Sequence, residues 1–283
     1  MKTCRILLLA FSFFISVASG GSNQKKATAV RVSDPPRIDG LVREPVWEQA
    51  LPLRDFVQYE PLEGTEPTQA TEVRILYDDE ALYVAFRLFD TEPQNIVARL
   101  ARRDDEVESD FVSVRIDSYH DHQTAFEFTL NAAGVKTDIL QYNDGKEEDE
   151  SWDVVWEAET AISSDGWSAE IKIPFKVLRF SEAAQQEWGI QFIRYISRTR
   201  ERQQWVLIPK SESGFISRFG HLEGLENLTR PGHVELLPYV AGGNRFIPKS
   251  PAFPNGSDGT SNIGLDAKIK PTSGLTIDAT FNP

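Results

Sequence analysis

The chain has 283 residues, 43 of them acidic and 30 basic, and its net charge of −13 repels phosphate backbones, which excludes nucleic acid as a partner. Its single cysteine, Cys4, lies inside an N-terminal leader, ahead of the leader's apolar run, so the exported chain forms no disulfide and must rest on a hydrophobic core. The leader, residues 1–20, sets Lys2 and Arg5 ahead of an apolar run from Ile6 to Val17 and ends on Ala18-Ser19-Gly20, the pattern of a cleaved secretory signal peptide. A bilayer core of about 30 Å needs roughly 20 apolar residues, more than this run supplies, so export with cleavage is expected instead of anchoring.

Beyond the leader, apolar residues recur with period two, the mark of half-buried strands. Residues 73–77 and 82–89 flank Asp78-Asp79-Glu80 and predict a hairpin. In its second strand Leu82, Val84, Phe86 and Leu88 share one face, and Tyr83, Ala85, Arg87 and Phe89 the other. Strands are predicted at 111–117, with Val112, Val114 and Ile116 inward, and at 125–131, with Phe126, Phe128 and Leu130 inward, before a turn at Asn131-Ala132-Ala133-Gly134. Further strands are expected at 135–142, 152–162, 167–173 and 188–197. Roughly eight to ten strands, with no helical signal beyond a short helix or turn at 175–186, define an all-β fold, a β-sandwich of jelly-roll type. Residues 248–261 hold Pro, Gly, Ser and Asn without a period and predict a loop. After it, 262–270 and 275–281 alternate across Pro271-Thr272-Ser273-Gly274 as a closing hairpin, with Ile263, Leu265, Ala267 and Ile269 on one side. By pattern alone this hairpin is either an appendage of the sandwich or the opening of an outer-membrane barrel.

Ile38-Asp39-Gly40, Glu44-Pro45-Val46-Trp47, Leu76-Tyr77-Asp78-Asp79-Glu80-Ala81-Leu82-Tyr83-Val84, Gly166-Trp167-Ser168-Ala169-Glu170-Ile171-Lys172-Ile173-Pro174-Phe175 and Trp188-Gly189 together resemble the family 9 carbohydrate-binding module, over residues 29–227. The likeness is nearest to a subgroup in which the module precedes an outer-membrane barrel of unknown function. It is carried there by Arg102-Arg103-Asp104, Gly264-Leu265-Asp266-Ala267-Lys268 and residues 275–283. The resemblance implies a signal peptide at 1–20, a sandwich at 29–227, and at 232–283 the start of a barrel that runs on past the closing Asn-Pro. It also implies a module that binds the ends of sugar chains, often with calcium, commonly joined to glycoside hydrolases. The setting implied is the periplasm or outer membrane of a Gram-negative-type cell. Sugar binding in the family uses two aromatic rings around a pyranose, with an arginine and amides, because flat rings suit the apolar C–H faces of a sugar. Aligned by motif, the two rings fall near Val107 and near Gly214 or Phe215, and the arginine near Glu127, so only Phe215 can still stack.

Other residue clusters supply candidates. Trp152 stands beside the acidic run 144–153, which offers oxygens to calcium, a hard cation wanting six to eight of them, but lacks the full spaced pattern of a calcium loop and reads first as a solvated hairpin tip. Trp47, Trp156, Trp167 and Trp188 fit strand positions and are expected in the core. Arg103 and Asp104 lie in a loop where a guanidinium and a carboxylate can orient hydroxyls. His120-Asp121-His122 follows Asp117 but matches no established zinc spacing and reads as a solvated turn. Asp110, Asp117, Glu127 and Glu170 supply carboxylates, but a glycosidase pair must stand about 5 to 9.5 Å apart. No nucleophile elbow, phosphate loop or Cys-His site occurs. The resulting expectation is an exported, non-catalytic carbohydrate-binding module linked to carbohydrate catabolism, with Arg103, Asp104, Trp152 and Phe215 on the ligand. The rivals are a hydrolase of O-glycosyl bonds, or its accessory domain, and a structural cap or plug of its own barrel.

Overall fold

The computed structural model describes residues 25–281 except 106, 229–232, 252–253 and 273–274. The predicted signal segment at 1–20, the second half of the predicted turn at 271–274 and the final Asn-Pro lie outside the described residues. The described residues form three β-sheets joined by loops and short 3-10 turns. The smaller sheet of a sandwich runs, in spatial order, β10 (Glu157–Ser163), β11 (Gly166–Pro174), β5 (Ala81–Phe89), β4 (Thr71–Tyr77) and β2 (Val30–Arg31). The larger runs β1 (Lys26–Thr28), β14 (Gly220–Glu226), β12 (Gln185–Ile196), β6 (Phe111–Asp117), β7 (Ala125–Asn131), β8 (Lys136–Tyr142) and β9 (Glu147–Asp149). To it β13 (Glu201–Gln204) adds on β12, and β3 (Val57–Glu60) on β13. The third sheet is β15 (His233–Phe246), β16 (Ser257–Thr272) and β17 (Leu275–Phe281).

The core lies where the alternation puts it. Val112, Val114 and Ile116 of β6 and Phe126, Phe128 and Leu130 of β7 meet Leu82, Val84, Phe86 and Leu88 of β5 in one cluster, with Trp156, Trp167, Trp188 and Trp205. Each side chain withdrawn from water there stabilises by roughly 25 cal/mol per Å² of apolar area. The second face of β5 is covered too: Tyr83 and Ala85 pack with Val32, Trp47 and Ala50 from the segment ahead of β3. Buried Arg194 of β12 pins the two sheets together at one end, donating from Nη1 to Ala70 O and from Nη2 to Phe89 O, each at 2.8 Å. Burial pushes its pKa down to about 10, which leaves it cationic at neutral pH.

Three motif stretches, at Asp39-Gly40, Trp47 and Glu170, meet at one carboxylate. Buried Glu170 on β11 accepts from Asp39 N and Gly40 N through Oε2 and from Trp47 Nε1 through Oε1, all at 2.9 Å. Gly40 takes φ +81°, and a Cβ there would lie 2.6 Å from the Thr160 carbonyl carbon on β10, so only glycine fits. The Asp78 carboxylate likewise closes the β4–β5 turn by accepting from Glu80 N and Ala81 N at 2.8 Å.

Some expectations are corrected. The strand predicted at 152–162 begins only at Glu157, because Asp138 holds the preceding segment through Val154 N at 2.8 Å and Trp156 Nε1 at 3.3 Å. The helix or turn expected at 175–186 is a 3-10 turn, Phe175–Val177, after which β12 starts at Gln185. The loop predicted at 248–261 is shorter, since β16 opens at Ser257, and β15 was not foreseen.

Candidate ligand-binding face

Every inward residue of β6, β7 and β12 alternates with one that faces away from the core, and the register lines these up in rows. Gln191, Arg115, Glu127 and Ile139 form one row across β12, β6, β7 and β8. Gln204, Ile193, Ser113, Thr129 and Thr137 form the next, and Arg202, Tyr195, Phe111 and Asn131 the third. Two adjoining depressions open on this face. One, of about 580 Å³, is lined by Asp104, Val107, Phe111, Glu127, Asn131 and Thr137 among others; the other, of about 210 Å³, by Tyr59, Gln204, Gly214 and Phe215. Arg115, Ile193 and Arg202 line both.

Arg115 is the hinge between them. Its Nη2 donates to Glu127 at 3.1 Å, its guanidinium lies 4.9 Å from the centre of the Phe215 ring, and its Nε is buried with no hydrogen-bond partner among the described residues. Glu127 also accepts from Ser113 Oγ (3.2 Å), Thr129 Oγ1 (2.8 Å) and Gln141 Nε2 (3.1 Å), so its carboxylate is fixed. Phe215 is held by Asp144, whose Oδ1 accepts from Phe215 N (3.0 Å) and Ser217 N (2.9 Å) and whose Oδ2 accepts from Ser217 Oγ (2.9 Å). Burial works to raise the Asp144 pKa, but the hydrogen bonds from Ser217 and Phe215 outweigh it and hold the carboxylate below its ordinary value. Phe111 and Tyr195 stack at 5.1 Å with 26° between their planes, both half-buried, a flat aromatic platform on the same face.

The predicted site residues are distributed unevenly about this face. Phe215 and Asp104 line it, in different depressions. Arg103 is engaged by carboxylates: it pairs with buried Asp138, with Asp153 at 2.6 Å and with Asp104 at 3.5 Å, and donates to Val154 O at 2.7 Å. Trp152 turns the other way and packs on Phe126 (5.1 Å) and Phe128 (5.9 Å), which point into the core. Val107 and Glu127 line one depression and Gly214 and Phe215 the other, so the positions assigned by motif converge on one face. Arg115, Phe111, Tyr195 and Arg202 were missed. Alternation marks Phe111 and Arg115 as outward on β6, where Val112, Val114 and Ile116 are inward, but it does not say which strands lie beside them.

The acidic run does not fit calcium. Asp144 serves the Phe215 segment, Glu147 accepts from Asn143, Glu148 from Gln141, Asp149 from Ser151, and Asp153 pairs with Arg103, so five carboxylates go to separate partners where a calcium ion needs them on one point. The four scattered carboxylates do not assemble either. Glu170 sits in the other sheet, Asp110 accepts from Ser197 N at 2.9 Å, and Asp117 accepts from Asp121 N and His122 N at 3.1 and 2.8 Å.

The model of one protein family, described as carbohydrate family 9 binding domain-like, matches residues 38–216, from the Asp39-Gly40 turn to the Phe215 segment. The chain belongs to that family. Among solved structures, a family 9 carbohydrate-binding module from Caldicellulosiruptor kristjanssonii in complex with cellotriose is 17% identical, with a TM-score of 0.52 over 72% of this chain and 95% of its own. The glucose complex of a family 9 module from the same organism gives 17% identity and a TM-score of 0.51 over 73% and 100%. A putative carbohydrate-binding protein from Bacteroides uniformis gives 12% identity and a TM-score of 0.57 over 71% and 100%. At these identities the likeness shows the shared sandwich. No curated protein sequence matches the chain.

Proposed function

We propose that this chain is an exported family 9-type module that binds carbohydrate on the outer face of its larger sheet, without chemistry, and serves carbohydrate catabolism. The observation that supports this is the convergence on Arg115: a buried, unpartnered Nε beside a fixed carboxylate, between the Phe215 ring and the Phe111–Tyr195 platform. A pyranose offers apolar C–H faces to rings and hydroxyls to an arginine–carboxylate pair, which is the chemistry this face presents. Family 9 modules in complex with cellotriose and with glucose make gluco-oligosaccharides the first ligands to try.

The test is calorimetric titration of the chain with cellotriose, beside Arg115→Ala and Phe111→Ala. Each variant is expected to bind at least about ten-fold more weakly, ~1.4 kcal/mol, measured at a temperature where its unfolding curve shows it fully folded. Undiminished binding by both variants places the ligand elsewhere, and shortened oligosaccharide products support the hydrolase rival instead.

A second reading concerns the C-terminal sheet, and one observation favours it. Leu236 and Val240 of β15 stand opposite Ala267 and Ile263 of β16, and Ile269 and Leu265 stand opposite Ile277 and Phe281 of β17, so one face of the three paired strands is apolar across these rows, up to Ser261 on the β15–β16 side. On the reverse face Leu237, Asp266 and Thr280 form a row, and Lys268 pairs with Asp278 at 3.9 Å. Apolar-out and polar-in alternation is how an outer-membrane barrel meets lipid and lumen. We infer that this sheet is the opening of such a barrel, which keeps the sandwich at the outer membrane.

A further inference from the structure

We propose that His120, His221 and Glu187 form a binding site for a divalent transition metal of the zinc class. The three come from distant parts of the chain, and one ligand atom of each lies within 4.8 Å of the others.

The fold has specific reasons for bringing them together. Asp117 at the end of β6, Gly189 on β12 and the imidazole-bearing His221 on β14 form a cross-strand row. Since Leu222 is fully buried, its neighbour His221 points to the outer side. The register between β12 and β14 shifts between Gln186 and Trp188 through an extra residue on β14, and Glu187, two residues before Gly189 on β12, shares the face of Gly189 and so of His221. Its carboxylate thereby reaches His221, Oε1 to Nδ1 at 2.6 Å. His120 arrives from the β6–β7 turn, in the left-handed region at φ 53°, because the Asp117 carboxylate caps that turn through Asp121 N and His122 N. Its ring then stands edge-on to that of His221, with centroids 5.4 Å apart.

The close approach of Glu187 to His221 accounts for two of the residues but not for the third. Two imidazoles and a carboxylate suit zinc, cobalt, nickel or copper, whereas calcium and magnesium take oxygen alone. Ligand atoms on a tetrahedral zinc at about 2.0–2.1 Å stand roughly 3.4 Å apart, so the set must close somewhat, and exposed Glu187 can swing to do it. Three protein ligands leave a fourth position for water or for an oxygen of a bound molecule. His122 is turned towards Asp117, Nδ1 to Oδ2 at 3.9 Å, and is not among the ligands.

The metal-stripped full chain is titrated calorimetrically with zinc chloride and, separately, with calcium chloride followed by zinc. One zinc per chain is expected, with an isotherm that calcium leaves unchanged. His120→Ala and His221→Ala should each weaken zinc binding by more than about 100-fold, beyond the loss that removal of an outer partner brings. His122→Ala should leave it within a few-fold. A readout that needs no variant is protection from diethylpyrocarbonate: zinc should shield His120 and His221, mapped by mass spectrometry, and leave His122 reactive. Absence of zinc binding, equal binding by the His120→Ala/His221→Ala double variant, or shielding of His122 alone would overturn the assignment.

Discussion

Glu170 illustrates what one residue does in this chain. Its carboxylate has no exposure, yet it is the common acceptor for the Asp39-Gly40 turn and the Trp47 indole, so the segment before β3 is bound to the middle of the smaller sheet by a side chain more than a hundred residues away. Removing it leaves three donors without an acceptor, each worth about 1–3 kcal/mol when stranded in the interior. Glu170→Ala is therefore expected to lower unfolding free energy by about 3 kcal/mol or more in urea titrations, while Glu170→Gln, which keeps one carbonyl oxygen, loses less. An equal loss for the two variants would mean that packing, not the acceptor, holds the segment.

At the scale of elements, Asp144 couples the β8–β9 turn to the Gly214–Ser217 segment that carries Phe215 onto the binding face. Asp144→Ala is expected to cost about 1–2 kcal/mol at neutral pH, the net worth of such bonds, and to weaken cellotriose binding several-fold by releasing the ring. The pH dependence has a definite sign. Because the folded-state pKa is held below the ordinary 3.8, the stabilisation is present at all pH above that value and is lost as pH falls through the lower folded value. The gap between wild type and variant in urea unfolding should thus close only below about pH 4. Elements with strict alternation were legible in the sequence: Val112, Val114 and Ile116 point inward as predicted, since burial on one face imposes period two. The alternating Trp152, Val154 and Trp156 misled, because Asp138 captures Val154 N and the Trp156 indole and keeps that run out of the sheet. Arg115 and the imidazole pair of His120 and His221 were illegible for a different reason. Their significance depends on which strands become neighbours, β6 beside both β7 and β12, and no local spacing encodes that pairing.

At the scale of the whole molecule, the two sandwich sheets hide their apolar faces from water and the third sheet does not. Val240 is 77% exposed, Ile263 69% and Phe281 60%, on strands of 14, 16 and 7 residues whose β15–β16 register runs unbroken. A membrane strand takes about 9–11 residues, so β15 and β16 are long enough to cross. Tyr239 lies across Gly264 on the neighbouring strand, where a Cβ would come within 2.2 Å of the ring, and this closes the backbone gap that a glycine opens in a sheet. The apolar face and the polar face therefore make opposite predictions. In flotation with phosphatidylcholine vesicles the full chain should rise with lipid, and Val240→Lys or Ile263→Lys should reduce the floating fraction sharply, since a lysine near the bilayer midplane costs about 2–4 kcal/mol on the lipid side. Thr280→Lys, on the face that Asp266 and Leu237 share, should float like the wild type. Equal effects from both faces would mean that the sheet meets lipid without a preferred side, which a barrel wall cannot do, and would leave the sheet as a soluble appendage of the sandwich.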